Sequence, residues 1–206
     1  MNNACAGLFL LLGASALSGG VFAGGIDLAL SDETANVAIL LNPPERLPTT
    51  NGSELSVGGF VSEDDDRLAH LSLMARGKRQ LDLSQYDLAA GIKAIGGDIS
   101  IDPEQVIEGG EDVERVGAVG LGLEAGFLAN PSRYNPINFS VSAFYAPSIT
   151  SFFEAERFTE VSARLQIEVI PQVSTYIGYR RMGFDTSEYE DVRVDRSTHI
   201  GFSITY

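Results

Sequence analysis

Apolar and polar side chains alternate with a period of two at the end of the chain. Ile200, Phe202, Ile204 and Tyr206 fall on one face, and the positions between them carry Gly, Ser and Thr. Successive side chains of a β-strand point to opposite faces, so this alternation predicts a strand with one apolar and one polar face. A half-buried strand of a soluble protein shows the same pattern, and the class of fold therefore depends on the rest of the chain.

The same alternation recurs along most of the chain after residue 24. In the second half, three apolar faces have five or six members each, within residues 117–127, 137–145 and 159–169. At a rise of roughly 3.3 Å per residue, such a face covers the ~25 Å apolar band of a membrane β-barrel. The polar faces of these strands and of the following strand carry charges at mid-strand, which are Glu124, Glu160, Arg164, Glu168 and Arg180.

These two-sided strands predict an all-β fold, a transmembrane antiparallel up-and-down β-barrel of about ten strands. A soluble sandwich is the alternative, but it fits less well with an export signal, an aromatic C-terminus, and alternately short and long connections. Eight strands are predicted between residue 55 and Tyr206, and a hairpin of Ile26–Leu30 with Ala35–Leu41 adds two more. If residues 26–41 formed one strand, the count would be nine. Ten strands are therefore favoured, with eight as the fallback.

Short turns and longer acidic loops are predicted to alternate between the strands. The predicted turns are Ser31–Thr34, Gly77–Gln80, Asn130–Ser132 and one at Pro171. The predicted acidic loops are Glu63–Asp66, Gly97–Glu114 and Asp185–Asp191. With both termini in the periplasm, the acidic loops are extracellular. Such carboxylates can bind divalent cations, but Asp64-Asp65-Asp66 lacks the spacing of a loop motif, so simple surface solvation is favoured.

Residues 1–23 are predicted to be a cleaved signal peptide, and residues 24–206 a single β-barrel domain. Leu8–Leu12 form a short apolar core, and Val21-Phe22-Ala23 offers a small-x-small cleavage site. No Lys or Arg precedes the core, which is atypical. A non-cleaved membrane anchor is the alternative, disfavoured because the core is short and followed by glycines. Cys5 is the only cysteine, so a mature chain without this segment has no thiol or disulfide.

The five mid-strand charges Glu124, Glu160, Arg164, Glu168 and Arg180 are predicted to form a charge network in the barrel lumen. The interior of a barrel of this size is nearly filled by side chains, and buried charges persist only when they are paired. Glu160, Arg164 and Glu168 repeat at intervals of four residues, so ion pairs with neighbouring strands are favoured. A narrow conducting pore lined by the same charges is the alternative.

His70 and Ser72 place an imidazole and a hydroxyl two residues apart on the predicted lumen face of one strand. Outer-membrane lipid A deacylases use a His and a Ser at this spacing, because the imidazole must reach the hydroxyl to deprotonate it. The likeness is in the spacing alone, and those enzymes act on lipid at the outer surface. Two polar residues of a barrel interior are the favoured interpretation, and no catalytic, cofactor or metal site is predicted.

The aromatic C-terminus resembles the terminal signature of bacterial outer-membrane β-barrels, whose last strand is recognised during assembly. Ile200, Phe202, Ile204 and Tyr206 are therefore predicted to form the assembly signal. Other segments are similar to the YfaZ family of outer-membrane proteins, and they are Leu28–Ala35, Phe144–Pro147 with Ser151-Phe152, Glu160–Pro171, Tyr176–Arg180 and Gly201–Tyr206. The resemblance covers most of the mature chain. It implies a small outer-membrane barrel of a family without a settled activity, and no catalytic residues.

The net charge of −14 argues against nucleic acid as a partner. The expected partners are outer-membrane lipid, with Tyr145 and Tyr179 in an interfacial aromatic belt, and the outer-membrane assembly machinery. We expect a monomeric, non-enzymatic barrel of the bacterial outer membrane that contributes to the envelope or presents acidic loops, without a cofactor. A narrow channel for small solutes or ions is the alternative, and a lipid-modifying enzyme is the third.

Overall fold

The computed structural model describes residues 23–42, 52–81, 84–101, 113–129, 135–189 and 191–206. Eleven β-strands occupy most of these residues. They are β1 (Ala23–Leu30), β2 (Thr34–Asn42), β3 (Ser53–Ser62), β4 (Arg67–Leu81), β5 (Ser84–Ser100), β6 (Val113–Ala129), β7 (Ile137–Ala146), β8 (Ser151–Phe153), β9 (Ala155–Ile170), β10 (Val173–Thr186) and β11 (Val192–Thr205). Apart from Ala23, the predicted signal peptide lies outside the described residues.

Ten of the eleven strands close into an antiparallel barrel in chain order. Consecutive strands pair from β1 to β7, β9 pairs with β7, and β11 returns to pair with β1. The closing ladder runs from Gly25 opposite Thr205 to Leu30 opposite Ile200. The predicted ten-stranded barrel is therefore confirmed, and the fallback of eight strands is wrong.

The predicted apolar faces point out of the barrel. Leu88, Leu121 and Leu123 are 69%, 72% and 68% exposed. Each of the ten barrel strands contributes to this exterior, with Ile26, Val37, Val57, Leu71, Leu88, Leu121, Phe139, Val161, Ile177 and Phe202 as one example from each. We call this surface the apolar belt. In a sandwich these rows would be buried between two sheets, so the sandwich alternative is wrong.

The interior divides into two halves along the barrel axis. We call the end at which β1 begins and β11 ends the terminal end, and the opposite end the distal end. Buried apolar side chains fill the distal half, and they are Phe60, Leu68, Ile95, Ile99, Ile101, Val116, Ala118, Ala146, Ala155, Phe158, Met182, Phe184, Tyr189, Val192 and Val194. We call them the distal cluster. The inward face of the terminal half is polar and charged.

One predicted turn is wrong and two are confirmed. Gly77–Gln80 lies within β4, where Gly77 pairs with Leu88 and Gln80 with Gln85. The polar residues at this position belong to a strand that continues past the apolar belt. The sequence pattern alone does not distinguish such a polar strand end from a turn. Ser31 donates its N–H to the Thr34 carbonyl oxygen at 2.9 Å, and Pro171-Gln172 connects β9 to β10. Asn130–Ser132 lies outside the described residues.

Two of the predicted acidic loops are shorter than expected. β5 continues to Ser100 and β6 begins at Val113, so both ends of the predicted Gly97–Glu114 loop are paired strand. β10 likewise continues to Thr186, inside the predicted Asp185–Asp191 loop. The Glu63–Asp66 segment does connect β3 to β4. Charged residues at these positions sit in strands because the strands extend beyond the apolar belt.

The sequence did not predict the short strand β8. After β7, a single 3-10 turn at Ser148–Thr150 leads into Ser151–Phe153, which pairs with the beginning of β6 and not with β7 or β9. Three residues are too few for a test of periodicity. Among the described residues, no helix is both long enough and apolar enough to cross a membrane.

Candidate functional site

The terminal half of the barrel encloses a polar cavity of about 490 Å³. It reaches from the terminal end, where Gln85, Leu128 and Pro136 line it, to mid-barrel, where Lys93 and Glu160 line it. We call it the terminal cavity. All five predicted lumen charges line it, namely Glu124, Glu160, Arg164, Glu168 and Arg180.

Near the terminal end, one arginine forms ion pairs with three carboxylates. Arg76 of β4 donates to Glu124 at 2.8 Å and to Asp87 at 2.9 Å, and Glu54 lies 3.7 Å away. These carboxylates come from β3, β5 and β6. Because Arg76 and Glu124 are two strands apart, this contact crosses the interior instead of joining neighbours. Glu168 lies at the same end, where one of its carboxylate oxygens accepts the N–H of Gln172 at 3.3 Å.

Further along the wall, Asp27 of β1 is held by Arg164 and Tyr176. Arg164 donates to the two carboxylate oxygens of Asp27 at 2.9 and 3.3 Å, and the Tyr176 hydroxyl donates to Asp27 at 2.7 Å. The guanidinium also stacks on the Tyr176 ring, 3.8 Å from its centroid. This two-pronged geometry, with stacking, is specific to arginine. It fixes Asp27, which is nearly fully buried.

Two more ion pairs lie where the terminal cavity meets the distal cluster. Lys93 of β5 donates to Glu160 of β9 at 2.5 Å, and both side chains are buried. Arg180 donates from Nε to Asp195 on the adjacent β11, also at 2.5 Å. The two cations also face aromatic rings, Lys93 over Phe144 and Arg180 over Phe60. Charge is therefore neutralised in pairs immediately beneath the apolar interior.

Large side chains inside the barrel lie across glycines of the neighbouring strand. In six places a large residue is directly opposite a glycine, and the pairs are Gly58 with His70, Gly91 with Met74, Gly122 with Phe144, Gly126 with Asp87, Gly178 with His199 and Gly201 with Tyr176. A Cβ added at these glycines would lie 1.8 to 2.7 Å from an atom of the partner side chain. The glycines therefore let each side chain lie flat along the wall, which keeps the terminal cavity open.

His70 and Ser72 both face the interior, as the sequence analysis expected. The Ser72 hydroxyl is hydrogen-bonded to the Ser56 hydroxyl at 2.7 Å, and the His70 ring lies against Gly58. His70 lines the terminal cavity together with His199, whose ring packs edge-on against Tyr176. His70 and Ser72 are therefore surrounded by the barrel wall and face away from the apolar belt.

Sequence reasoning did not identify the ion-pair partners of the predicted charges. Asp27, Arg76, Asp87, Lys93 and Asp195 complete the ion pairs, and each occupies an inward position of its strand. Parity along each strand was the signal that could have found them. Among the described residues, no group of three or more His, Cys, Asp or Glu side chains is arranged to hold a metal ion.

The predicted assembly residues lie on the outside. Ile200, Phe202, Ile204 and Tyr206 are 48–59% exposed, and the first three stand opposite Leu30, Leu28 and Ile26 of β1. Their role in assembly stays a prediction. Tyr145 and Tyr179 are also on the outside, whereas Tyr176 is buried within.

A closed antiparallel barrel with an apolar exterior and a paired-charge interior defines the structural class to which bacterial outer-membrane barrels belong. Within that class, the chain belongs to the YfaZ family, because the family profile, described as YfaZ precursor, matches residues 4–206. The family resemblance predicted from the sequence is therefore confirmed. No curated protein matches the chain significantly.

Proposed function

We propose that this protein is a non-conducting, non-enzymatic barrel of the bacterial outer membrane, with its terminal end in the periplasm and its acidic loops outside. The apolar belt supports a membrane position, because an exposed apolar surface on every barrel strand is stable only against hydrocarbon. A family described as a precursor, together with a closed barrel, fits an exported outer-membrane protein.

The observation that carries the proposal is the contrast between the two halves of the interior. A pore needs a polar path from end to end, whereas here, among the described residues, the buried apolar side chains of the distal cluster lie between the terminal cavity and the distal end. Phe158 and Phe184, both almost completely buried, pack with ring centroids 4.9 Å apart in that cluster. The inner charges then serve to neutralise one another and to fix the wall, and no residue needs a catalytic role.

Planar-bilayer recording of purified, refolded full-length protein tests the proposal. We expect the membrane current to stay at baseline although the protein has inserted, which the heat-modifiable band of a folded barrel would show. Stable step conductances would overturn the proposal in favour of the narrow channel. Fractionation of the producing cell tests location, and recovery outside the outer-membrane fraction would contradict it.

A further inference from the structure

Three arginines lie together on the outside of the barrel, at the distal border of the apolar belt. Arg181 of β10 stands directly opposite Arg196 of β11, and Arg193 follows on the same strand opposite Gly183. All three side chains are exposed. We call them the arginine patch. We propose that the arginine patch binds the phosphate of a phosphorylated glycolipid in the outer leaflet, an inference that rests on the proposed membrane position.

The patch has the height expected for lipid headgroups. Outward pairs along β10 and β11 change from Ile177 opposite Ile200 to Tyr179 opposite Thr198, and then to Arg181 opposite Arg196. The nine residues from Val173 to Arg181 extend about 26 Å along the strand. A strand tilt of about 35–45° shortens this distance to roughly 19–22 Å along the membrane normal, and the long arginine side chains extend the remaining distance to the border of the ~25 Å apolar band. The guanidinium groups therefore lie where hydrocarbon gives way to headgroups.

Within the part of the chain that the structure describes, the charge of the patch is only weakly compensated. Like charges placed directly opposite on neighbouring strands destabilise a sheet. Among the described residues, Arg181 forms an ion pair with Asp191 at 3.6 Å, and these two side chains are 60% and 81% exposed, so the pair contributes little. Arg193 and Arg196 have no ion pair among the described residues. The interior arginines Arg76, Arg164 and Arg180 each have a carboxylate within 3 Å.

Phosphate on a lipid fits both the charge and the position. Guanidinium groups bind phosphate through two parallel hydrogen bonds, and two of them facing each other can share one phosphate. The acyl chains of the same molecule would cover the apolar belt below the patch. A soluble acidic partner would reach the arginines but leave that belt uncovered, so a lipid is the occupant that uses both surfaces.

Melting of the reconstituted full-length protein provides the test. It is placed in vesicles of phosphatidylcholine alone, with phosphatidylglycerol, or with bisphosphorylated lipid A, and the loss of the heat-modifiable folded band is followed with temperature. The variant is Arg181→Gln with Arg196→Gln. The control is Arg67→Gln with Arg115→Gln, which removes two outward distal arginines that have carboxylate partners, Asp65 and Asp98.

We expect lipid A to raise the melting temperature of the unaltered protein and of the control by about 4 °C, and that of the patch variant by less than about 1 °C. In phosphatidylcholine alone the patch variant should melt at the same temperature as the unaltered protein or higher, because the repulsion between the two arginines is removed. If the patch variant melts at a lower temperature than the unaltered protein in every lipid, the arginines stabilise the fold itself, and this result would overturn the inference.

Two other outcomes would also overturn it. An equal rise for the patch variant and the unaltered protein would place lipid A elsewhere. An equal effect of phosphatidylglycerol, which carries only a phosphodiester, would show attraction to any anionic lipid instead of a site for the phosphomonoester of the glycolipid. If the folded protein inserts but shows none of these shifts, only this inference fails. If it inserts into no vesicle, the proposed membrane position fails with it.

Discussion

The terminal and distal halves of the interior use opposite means to fill the same barrel. In the terminal half, ion pairs such as Arg164–Asp27 surround a cavity, and glycines keep large side chains against the wall. In the distal half, side chains such as Phe158 and Val116 are completely buried in a packed apolar core. The comparison teaches that one closed sheet can enclose a polar cavity at one end and a packed apolar core at the other. Stability should therefore depend on packing in the distal half and on charge balance in the terminal half.

The largest effect is expected in the distal half. Phe158→Ala removes a fully buried ring that packs on Phe184, and it should lower the free energy of unfolding by about 3–5 kcal/mol. Urea unfolding in detergent micelles measures this. Phe152→Ala removes the same ring from a half-exposed outward position and serves as the control. Similar losses for both variants would mean that the distal cluster is not a packed core.

Charge balance should dominate where the two halves meet. Glu160→Leu leaves the buried Lys93 ammonium without its partner, and we expect a loss of about 3 kcal/mol, since water in the terminal cavity moderates the penalty. Adding Lys93→Met should restore most of the loss, because the unpaired charge is then gone. Urea unfolding of the three proteins checks this, and a double variant less stable than Glu160→Leu would contradict it.

In the terminal half, a single methyl group should be enough to disturb the wall. Gly201→Ala places a Cβ 2.0 Å from the ζ-carbon of Tyr176, and moving that ring breaks its hydrogen bond to Asp27. We expect a loss of about 1–3 kcal/mol in the same unfolding experiment. Gly59→Ala is the matched control, because its nearest contact is 3.8 Å away. If Gly201→Ala is as stable as Gly59→Ala, the glycine does not hold the ring in place.

The smallest effect is expected at Asp66, which ties the connection between β3 and β4 to the end of β5. Its carboxylate accepts the Ser62 hydroxyl and the Ser100 N–H, both at 2.8 Å. Burial raises the pKa of Asp66 above its ordinary value of 3.8, although these two hydrogen bonds oppose the rise. The folded state therefore keeps the proton to a higher pH than the unfolded chain, and the stability from this group is present below pH 3.8 and lost as pH rises through the raised value.

Asp66→Asn cannot titrate and provides the comparison for that group. The unaltered protein should gain stability relative to the variant as the pH falls from 7 to 3, because its folded state binds the proton more tightly than the unfolded chain does. Unfolding free energies of both proteins at several pH values measure the difference. A relative loss on acidification would show that the two hydrogen bonds outweigh burial.

Much of this comparison was visible in the sequence, because parity along a strand decides which way each side chain points. The rows containing Ile177 or Leu121 could be assigned to the exterior, and Arg164 and Glu160 to the interior. The pairing of Arg76 with Glu124 or of Lys93 with Glu160 could not, because such contacts cross the barrel and depend on strand tilt and stagger.

The distal cluster escaped prediction for a different reason. Near their distal ends, the strands carry apolar residues on the inward face as well, as with Ile99 of β5 and Phe184 of β10. These residues lay in or beside segments that were predicted to be acidic loops. Once such a segment is assigned to a loop, the parity of its side chains carries no information about the interior.

The pairing of β1 with β11 has a consequence for biogenesis. The first and last strands of the barrel are neighbours, with Ile26 opposite Ile204. Every other seam can form between strands close in the chain, but this seam must wait until β11 has been synthesised and delivered. A nascent chain therefore carries two unprotected edges until its last strand arrives, and a premature stop codon would leave both of them open to aggregation.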